Sequence, residues 1–257
     1  VGLSFAKTIA QVEEIPFIAV NHLAGHAFTS RLTENTDFPF LLLLISGGHS
    51  CFYYIEDMQK CTNLGGTLDD AVGEAFDKIA KALDLKFPGG PELEKAALRG
   101  DENSFIFPKP LLNKSENNLD LSFSGLKSHI VSLIKEKKRS LPSEDFISDT
   151  AASFQKTVSD ILTTKLDRAM NFCNKKFPSY SNVVISGGVA SNLYLRKKLI
   201  GTVLSKNKVP IIPPAKLCTD NGAMIAWAGY EKYKLGLIDS LRFKALPRWP
   251  LESLLYE

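Results

Sequence analysis

The sequence predicts an α/β protein with two halves around a cleft, and three observations carry that expectation. Leu42–Ser50 and Val183–Asn192 each lead an apolar run into Ser-Gly-Gly, as a buried strand does when it delivers a turn free of side chains to one edge of a sheet. Two such turns suggest two related halves. From Val183 to Leu235 the pattern alternates strand, helix, strand, helix, which implies parallel strands.

Taken in order, residues 1–12 read as a helix and Ile15–Val20 as a short strand. Asn21 is placed to cap a helix that carries His22 and His26 and continues through Leu32. From Phe38 an apolar strand turns at Gly47-Gly48 into Cys51–Ile55, a β-hairpin. Leu68–Leu83 has helical spacing, and Pro88-Gly89-Gly90-Pro91 is expected to end that element. Residues 100–123, rich in Asn, Ser, Pro and charge, read as irregular. Helices follow over 125–138 and 143–172, then a strand at 183–185, a helix at 192–204, a strand at 209–212 and a helix at 221–235. The tail Pro247-Arg248-Trp249-Pro250-Leu251 cannot continue a helix and is expected to pack back over the body.

Composition bounds the function. A chain of 257 residues, 44% hydrophobic, can bury one large core or two smaller ones. Its longest apolar run, near Phe40–Ile45, is far below the ~20 residues that span a bilayer, so a soluble protein without a membrane role is expected. A net charge of +3 is too small to argue attraction to nucleic acid from the total. The basic stretch from Lys127 to Lys135-Glu136-Lys137-Lys138-Arg139 reads first as a solvated helix face and second as an RNA-backbone contact. Cys51, Cys61, Cys173 and Cys218 form no CxxC pair, which favours a reducing compartment and argues against a structural zinc cluster. The beginning, Val1-Gly2-Leu3-Ser4, has no initiator Met and no signal-peptide pattern; it reads as mid-helix, so a fragment is expected.

Candidate chemistry sits at a few places. Glycines in the two Ser-Gly-Gly turns let a phosphate or nucleotide approach the backbone, although glycine pairs also simply close tight turns. His22 and His26, four apart, share one helix face and could chelate a metal ion; hydrogen bonding in core or surface is the other reading. No Glu lies between them, since the intervening residues are Leu23, Ala24 and Gly25, so zincin-type peptidase chemistry lacks its base. Asp220 could complete a two-histidine, one-carboxylate site, or cap the following helix. Asp69, Asp70, Glu74 and Asp77 form an acidic cluster, either an exposed face or a cleft rim. Asn192 could cap a helix or bind a ribose or base, and Ser122–Lys127 suits helix entry and anion binding equally. His49 and His129 stand alone and receive no role.

These motifs, with Gly73-Glu74-Ala75-Phe76-Asp77-Lys78, Ser186–Asn192, Cys218–Met224 and Pro247–Pro250 in one order, resemble the tRNA threonylcarbamoyladenosine transferases, formerly called O-sialoglycoprotein endopeptidases. The resemblance implies an actin-like ATPase fold of the sugar kinase and heat-shock ATPase superfamily. It implies transfer of threonylcarbamoyl from threonylcarbamoyl-adenylate to N6 of the adenosine beside the anticodon, in tRNAs reading codons that start with A. It implies that His22, His26 and Asp220 hold one divalent metal ion, iron or zinc, and that Leu44, Ile45, Ser46, Gly47, Gly48, Asp77, Gly90 and Asn192 hold the adenylate, an ATP-like nucleotide in the cleft. Ala24 stands where the family often has Glu.

The family's opening β-hairpin has no counterpart here, so residues 1–36 are expected to be a remnant of the first half. Residues 37–257 would form the second half, with a mostly helical insertion over about 65–142. An incomplete first half is expected to leave an apolar sheet face uncovered and this piece inactive alone. Implied partners are tRNA, an adenylate-forming enzyme upstream and, in bacteria, an inactive paralogue and a small ATPase; the implied location is the cytoplasm, or the mitochondrial matrix. Rival expectations are a non-catalytic nucleotide- and metal-binding scaffold and a sugar-kinase-like or carbamoyltransferase relative.

Overall fold

The computed structural model describes residues 1–112, 118–138, 143–177 and 180–253, so Arg139, at the end of the basic stretch, and part of the expected insertion lie outside the described residues. The strands are β1 (Phe40–Ile45), β2 (Ser50–Ile55), β3 (Cys61–Gly66), β4 (Asn182–Ser186) and β5 (Val209–Ile211). They form one sheet in the order β3-β2-β1-β4-β5. β1 and β2 pair antiparallel, as do β2 and β3, while β4 runs parallel to both β1 and β5. The expected hairpin and the expected parallel run therefore meet in one sheet, where β4 lies beside β1.

The central position of β1 in that sheet explains its sequence. Leu41, Leu43 and Ile45 enter one apolar cluster, and Phe40, Leu42 and Leu44 enter the other. A strand buried on both faces has no polar alternation to show. Each such side chain contributes about 1.5–3 kcal/mol on burial.

The first face carries α3 (Val72–Ala82), α4 (Gly89–Ala97), α5 (Ser124–Lys138), α6 (Glu144–Lys176) and α7 (Leu193–Leu204). The second carries α2 (His22–Glu34), α9 (Gly222–Lys234) and a closing turn at Leu251–Ser253. α1 (Gly2–Val12) packs through Ala10 and Leu3 on Phe17, Ala19, Phe243 and Trp249. A short α8 (Ala215–Cys218) precedes α9. No described helix is long and apolar enough to cross a membrane.

Four expectations change. Ile15–Val20 is not a strand: Phe17 makes one isolated bridge to Asp239, because Pro16 lacks an N–H and no described strand runs beside the segment. The helix expected from Leu68 begins at Val72, since Thr67 Oγ1 donates to the Asp70 carbonyl at 2.6 Å and closes a turn first. Pro88-Gly89-Gly90-Pro91 does not end α3, which stops at Ala82; Pro88 instead opens α4. Among the described residues both faces of the sheet carry buried apolar clusters rather than one bare apolar face, and exposed apolar side chains lie elsewhere, as at Phe5, Val12, Phe87 and Ile106. The tail does return: the Asn21 side-chain amide donates to the Trp249 carbonyl at 2.8 Å, and Leu251 is buried.

Candidate active site

The C-terminal ends of parallel neighbours β1 and β4 lie side by side, the usual place for ligands in an open α/β sheet. Both Ser-Gly-Gly turns leave the sheet there. Gly187, at φ +97°, sits so close to β1 that a Cβ would lie 2.4 Å from the Ile45 carbonyl oxygen. The first turn is closed by Ser46 N–H donating to the His49 carbonyl at 2.7 Å and His49 N–H donating to Ser46 Oγ at 3.1 Å. Gly73 at the start of α3 donates to the Ser46 carbonyl at 3.3 Å, and a Cβ there would stand 2.6 Å from that oxygen. Gly47 and Gly48 point into open space, with nothing within 4 Å of a Cβ position.

The histidine pair reaches the same end of the sheet. Asn21 caps α2, accepting from the N–H groups of Leu23 at 2.8 Å and Ala24 at 3.3 Å, so the first turn of the helix presents His22 and His26 on one face. Ser186 Oγ, next to the second turn, donates to the His26 carbonyl at 2.8 Å and ties α2 to β4. Asn221, not Asp220, caps α9, accepting from Met224 N–H at 2.9 Å. Asp220 is thereby free to face α2, with Oδ1 at 3.3 Å from His22 Nε2 and 3.0 Å from His26 Nε2.

Three donors thus lie within 4.8 Å of one another. His26 is buried, whereas the Asp220 side chain is 76% exposed and His22 49%, so the triad opens to solvent on one side. Burial lowers the pKa of His26, and neighbouring His22 lowers it further against the opposing pull of Asp220. A neutral imidazole is the form that binds a metal. Its Nδ1 has no hydrogen-bond partner among the described residues, so the ring's polar anchor is Nε2, on the triad side. Two imidazoles and one carboxylate with an open side fit a divalent iron or zinc ion. Ala24 lies buried in the apolar cluster, away from solvent.

The other anticipated residues fall into three groups. Leu44 and Ile45 are fully buried in β1, so only their backbone reaches the turn. Asp77 Oδ1 accepts from Gly89 N–H at 3.1 Å, joining α3 to the start of α4, where Gly90 faces open space. Asn192 caps α7 through Leu195 N–H at 2.9 Å and donates to Gln155 Oε1 at 2.7 Å. No hydrogen bond among the described residues ties Asp77, Gly90 or Asn192 to the triad.

The acidic cluster divides. Asp69 accepts from Ser122 Oγ at 2.6 Å, Phe123 N–H at 2.8 Å and Ser124 Oγ at 2.7 Å, so the anion at Ser122–Lys127 is the protein's own carboxylate. Asp70 pairs with Lys127 and Lys78. His49, given no role from sequence, lines a groove of about 810 Å³ together with His22, Ile225, Arg248 and Trp249. Burial lowers its pKa, and His22 adds to the shift. The signal available was its place at the end of the first glycine turn. His129 makes an edge contact with Phe107 and lies away from the triad's apolar cluster.

A family model described as tRNA N6-adenosine threonylcarbamoyltransferase matches residues 1–227. The chain belongs to that family. A member of the same name from Rhodospirillum rubrum is 47% identical over 252 residues, covering 98% of this chain and 69% of the relative. One from Rickettsia bellii is 48% identical over 255 residues, covering 99% of this chain and 74% of the relative. The family's members are acyltransferases by name. Solved structures of HypF share the fold: T.kodakarensis HypF superposes with a TM-score of 0.64 at 18% identity, covering 91% of this chain and 39% of that one. Full-length HypF in a phosphate- and nucleotide-bound form gives 0.62 at 15% identity, covering 89% and 37%. The architecture is that of the actin-like ATPase fold.

Proposed function

We propose that this chain transfers the threonylcarbamoyl group from threonylcarbamoyl-adenylate to N6 of the adenosine beside the anticodon in tRNA. The observation that carries the reading is the convergence of His22, His26 and Asp220 on the strand ends that bear both Ser-Gly-Gly turns, in a chain of this family. His22, His26 and Asp220 would hold the divalent ion, Fe2+ or Zn2+, which when bound supplies Lewis-acid polarisation of an acyl or phosphate oxygen.

The protein's own groups do the rest. Gly47 and Gly48 let the adenylate approach the backbone without obstruction. Ser46, fixed between His49 and Gly73, sets the geometry of that turn. Gly90, at the open start of α4, offers a second close approach, and Asp77 holds that start in place. Leu44 and Ile45 position the turn from the core, and Asn192 orients the start of α7. The amine of adenine attacks the carbamoyl carbon, the bond to the phosphate breaks, AMP leaves and the amine proton is released.

The reading includes a division into 1–36, carrying the histidines, and 37–257, carrying the sheet, with an insertion over about 65–142. It also includes an upstream adenylate-forming enzyme, in a bacterium an inactive paralogue and a small ATPase, and a cytoplasmic or mitochondrial-matrix setting. Transfer of radiolabelled threonine to a tRNA transcript, with ATP, bicarbonate and the adenylate-forming enzyme present, tests it. Label should reach tRNA and fall at least about a hundredfold on His26→Ala. Undiminished transfer by that variant would remove the triad from the reaction.

A further inference from the structure

We propose that Arg242, Lys244 and Arg248 form the surface on which the tRNA backbone docks, beside the groove that leads to His22. The inference rests on the reading of tRNA as substrate and adds where it binds. Segment 240–250 carries these three cations and no acidic residue. All three are exposed, and none has an ion-pair partner among the described residues.

Several described cations elsewhere are held by carboxylates: Lys78 and Lys127 by Asp70, Lys109 by Asp160, Lys206 by Asp167, Lys232 by Asp239 and Arg31 by Glu231. With a net charge of only +3, attraction to a polyanion has to be local. The three cations of 240–250, close in sequence and carried by a segment that lines the groove beside His22, supply it.

The segment is also fixed to the site. Asn21, the cap of the helix that carries His22, donates to the carbonyls of Trp249 at 2.8 Å and Pro250 at 3.3 Å. Trp249 Nε1 donates to the Ser253 carbonyl at 2.6 Å, and the Phe243 and Trp249 rings lie 5.3 Å apart. Lys7 of α1 donates to the Phe243 carbonyl. Arg248 thus stands one residue from an anchor shared with the metal-binding helix. The groove of about 810 Å³ is lined by Arg248 and Trp249 of this segment together with Phe17–Leu23 and His49. That volume is in the range that accepts a group the size of a nucleoside. The segment lies past residue 227, where the family-model match ends.

The competing surface, α5, is weaker. It packs in the apolar cluster on the sheet face opposite α2, and its Lys127 is already paired.

Binding of a fluorescent tRNA transcript by anisotropy, across a salt series, tests the placement. For Arg242→Gln/Lys244→Gln/Arg248→Gln the affinity should fall at least about tenfold near physiological salt, and the slope of log affinity against log salt should shrink by about 2 to 3. Each single exchange should remove about one unit of slope, which keeps the test open if the triple variant fails to fold. Lys135→Gln/Lys137→Gln on α5 should bind as the unsubstituted chain does. Unchanged affinity and slope in the variants of 242, 244 and 248, or a loss seen with the α5 variant instead, overturns the placement and leaves the transferase reading standing. Failure of the unsubstituted chain to bind the transcript overturns both.

Discussion

Gly187 bears two constraints at once. Its φ of +97° disfavours any L side chain, and a Cβ would lie 2.4 Å from the Ile45 carbonyl oxygen, backbone that cannot step aside. Gly187→Ala is expected to cost at least about 2 kcal/mol, because positive-φ strain of about 1 kcal/mol adds to a steric clash that must move β1 or β4. Gly47→Ala, where nothing lies within 4 Å, should stay within about 1 kcal/mol. Urea unfolding of the two variants side by side is the check, and equal losses would show that the close approach carries no energetic weight. At this scale the sequence was unevenly readable. The i, i+4 spacing placed His22 and His26 on one face, but Asp220-Asn221 left two candidates for one helix cap, and only the fold gives the cap to Asn221 and frees Asp220. His49 was silent because its place on the groove depends on how the β1–β2 turn meets α2.

The start of α5 is organised by one carboxylate, Asp69, that is 53 residues upstream of the Ser122 hydroxyl it accepts from. Sequence left Ser122–Lys127 equally suited to helix entry and to anion binding; the long separation hid that it does both, with an internal carboxylate as the anion. Partial desolvation raises the Asp69 pKa, but hydrogen bonds from Ser122, Phe123 N–H and Ser124 outweigh it and hold the value at about 2. A folded value below the ordinary 3.8 means that these contacts stabilise the fold fully above that value and cease to do so as pH falls through about 2. Asp69→Asn should therefore lower stability by about 1 kcal/mol at neutral pH, the usual worth of a capping side chain, with the difference closing between pH 4 and pH 2. Denaturant midpoints of both proteins across that range would show it; parallel curves would mean that Asp69 does not anchor α5.

Across the whole molecule, the hydrophobic pattern was the most legible layer. The apolar run of β1 announced a buried strand, which the fold covers on both faces, and the alternation after Val183 announced parallel strands. Segments whose form depends on distant partners were not legible, as with Phe17, whose single bridge is to Asp239. The triad of His22, His26 and Asp220 belongs to this long-range class, since His26 and Asp220 are 194 residues apart in sequence and join the start of α2 to the link before α9. An ion held there binds the folded chain and not the separated segments, so it stabilises by mass action: about 2.7 kcal/mol at a free concentration one hundred times its dissociation constant. Zinc titrated into metal-free protein should raise the unfolding midpoint, and a chelator should reverse the gain. Asp220→Ala is the informative variant, because a side chain 76% exposed can be removed without opening a cavity, whereas His26→Ala disturbs a buried ring as well. The Asp220→Ala protein should unfold near the metal-free midpoint of the unsubstituted chain and respond weakly to zinc. A full zinc response in that variant would mean that the two histidines bind the ion without the carboxylate, and the site would lose the ligand that fastens α2 to α9.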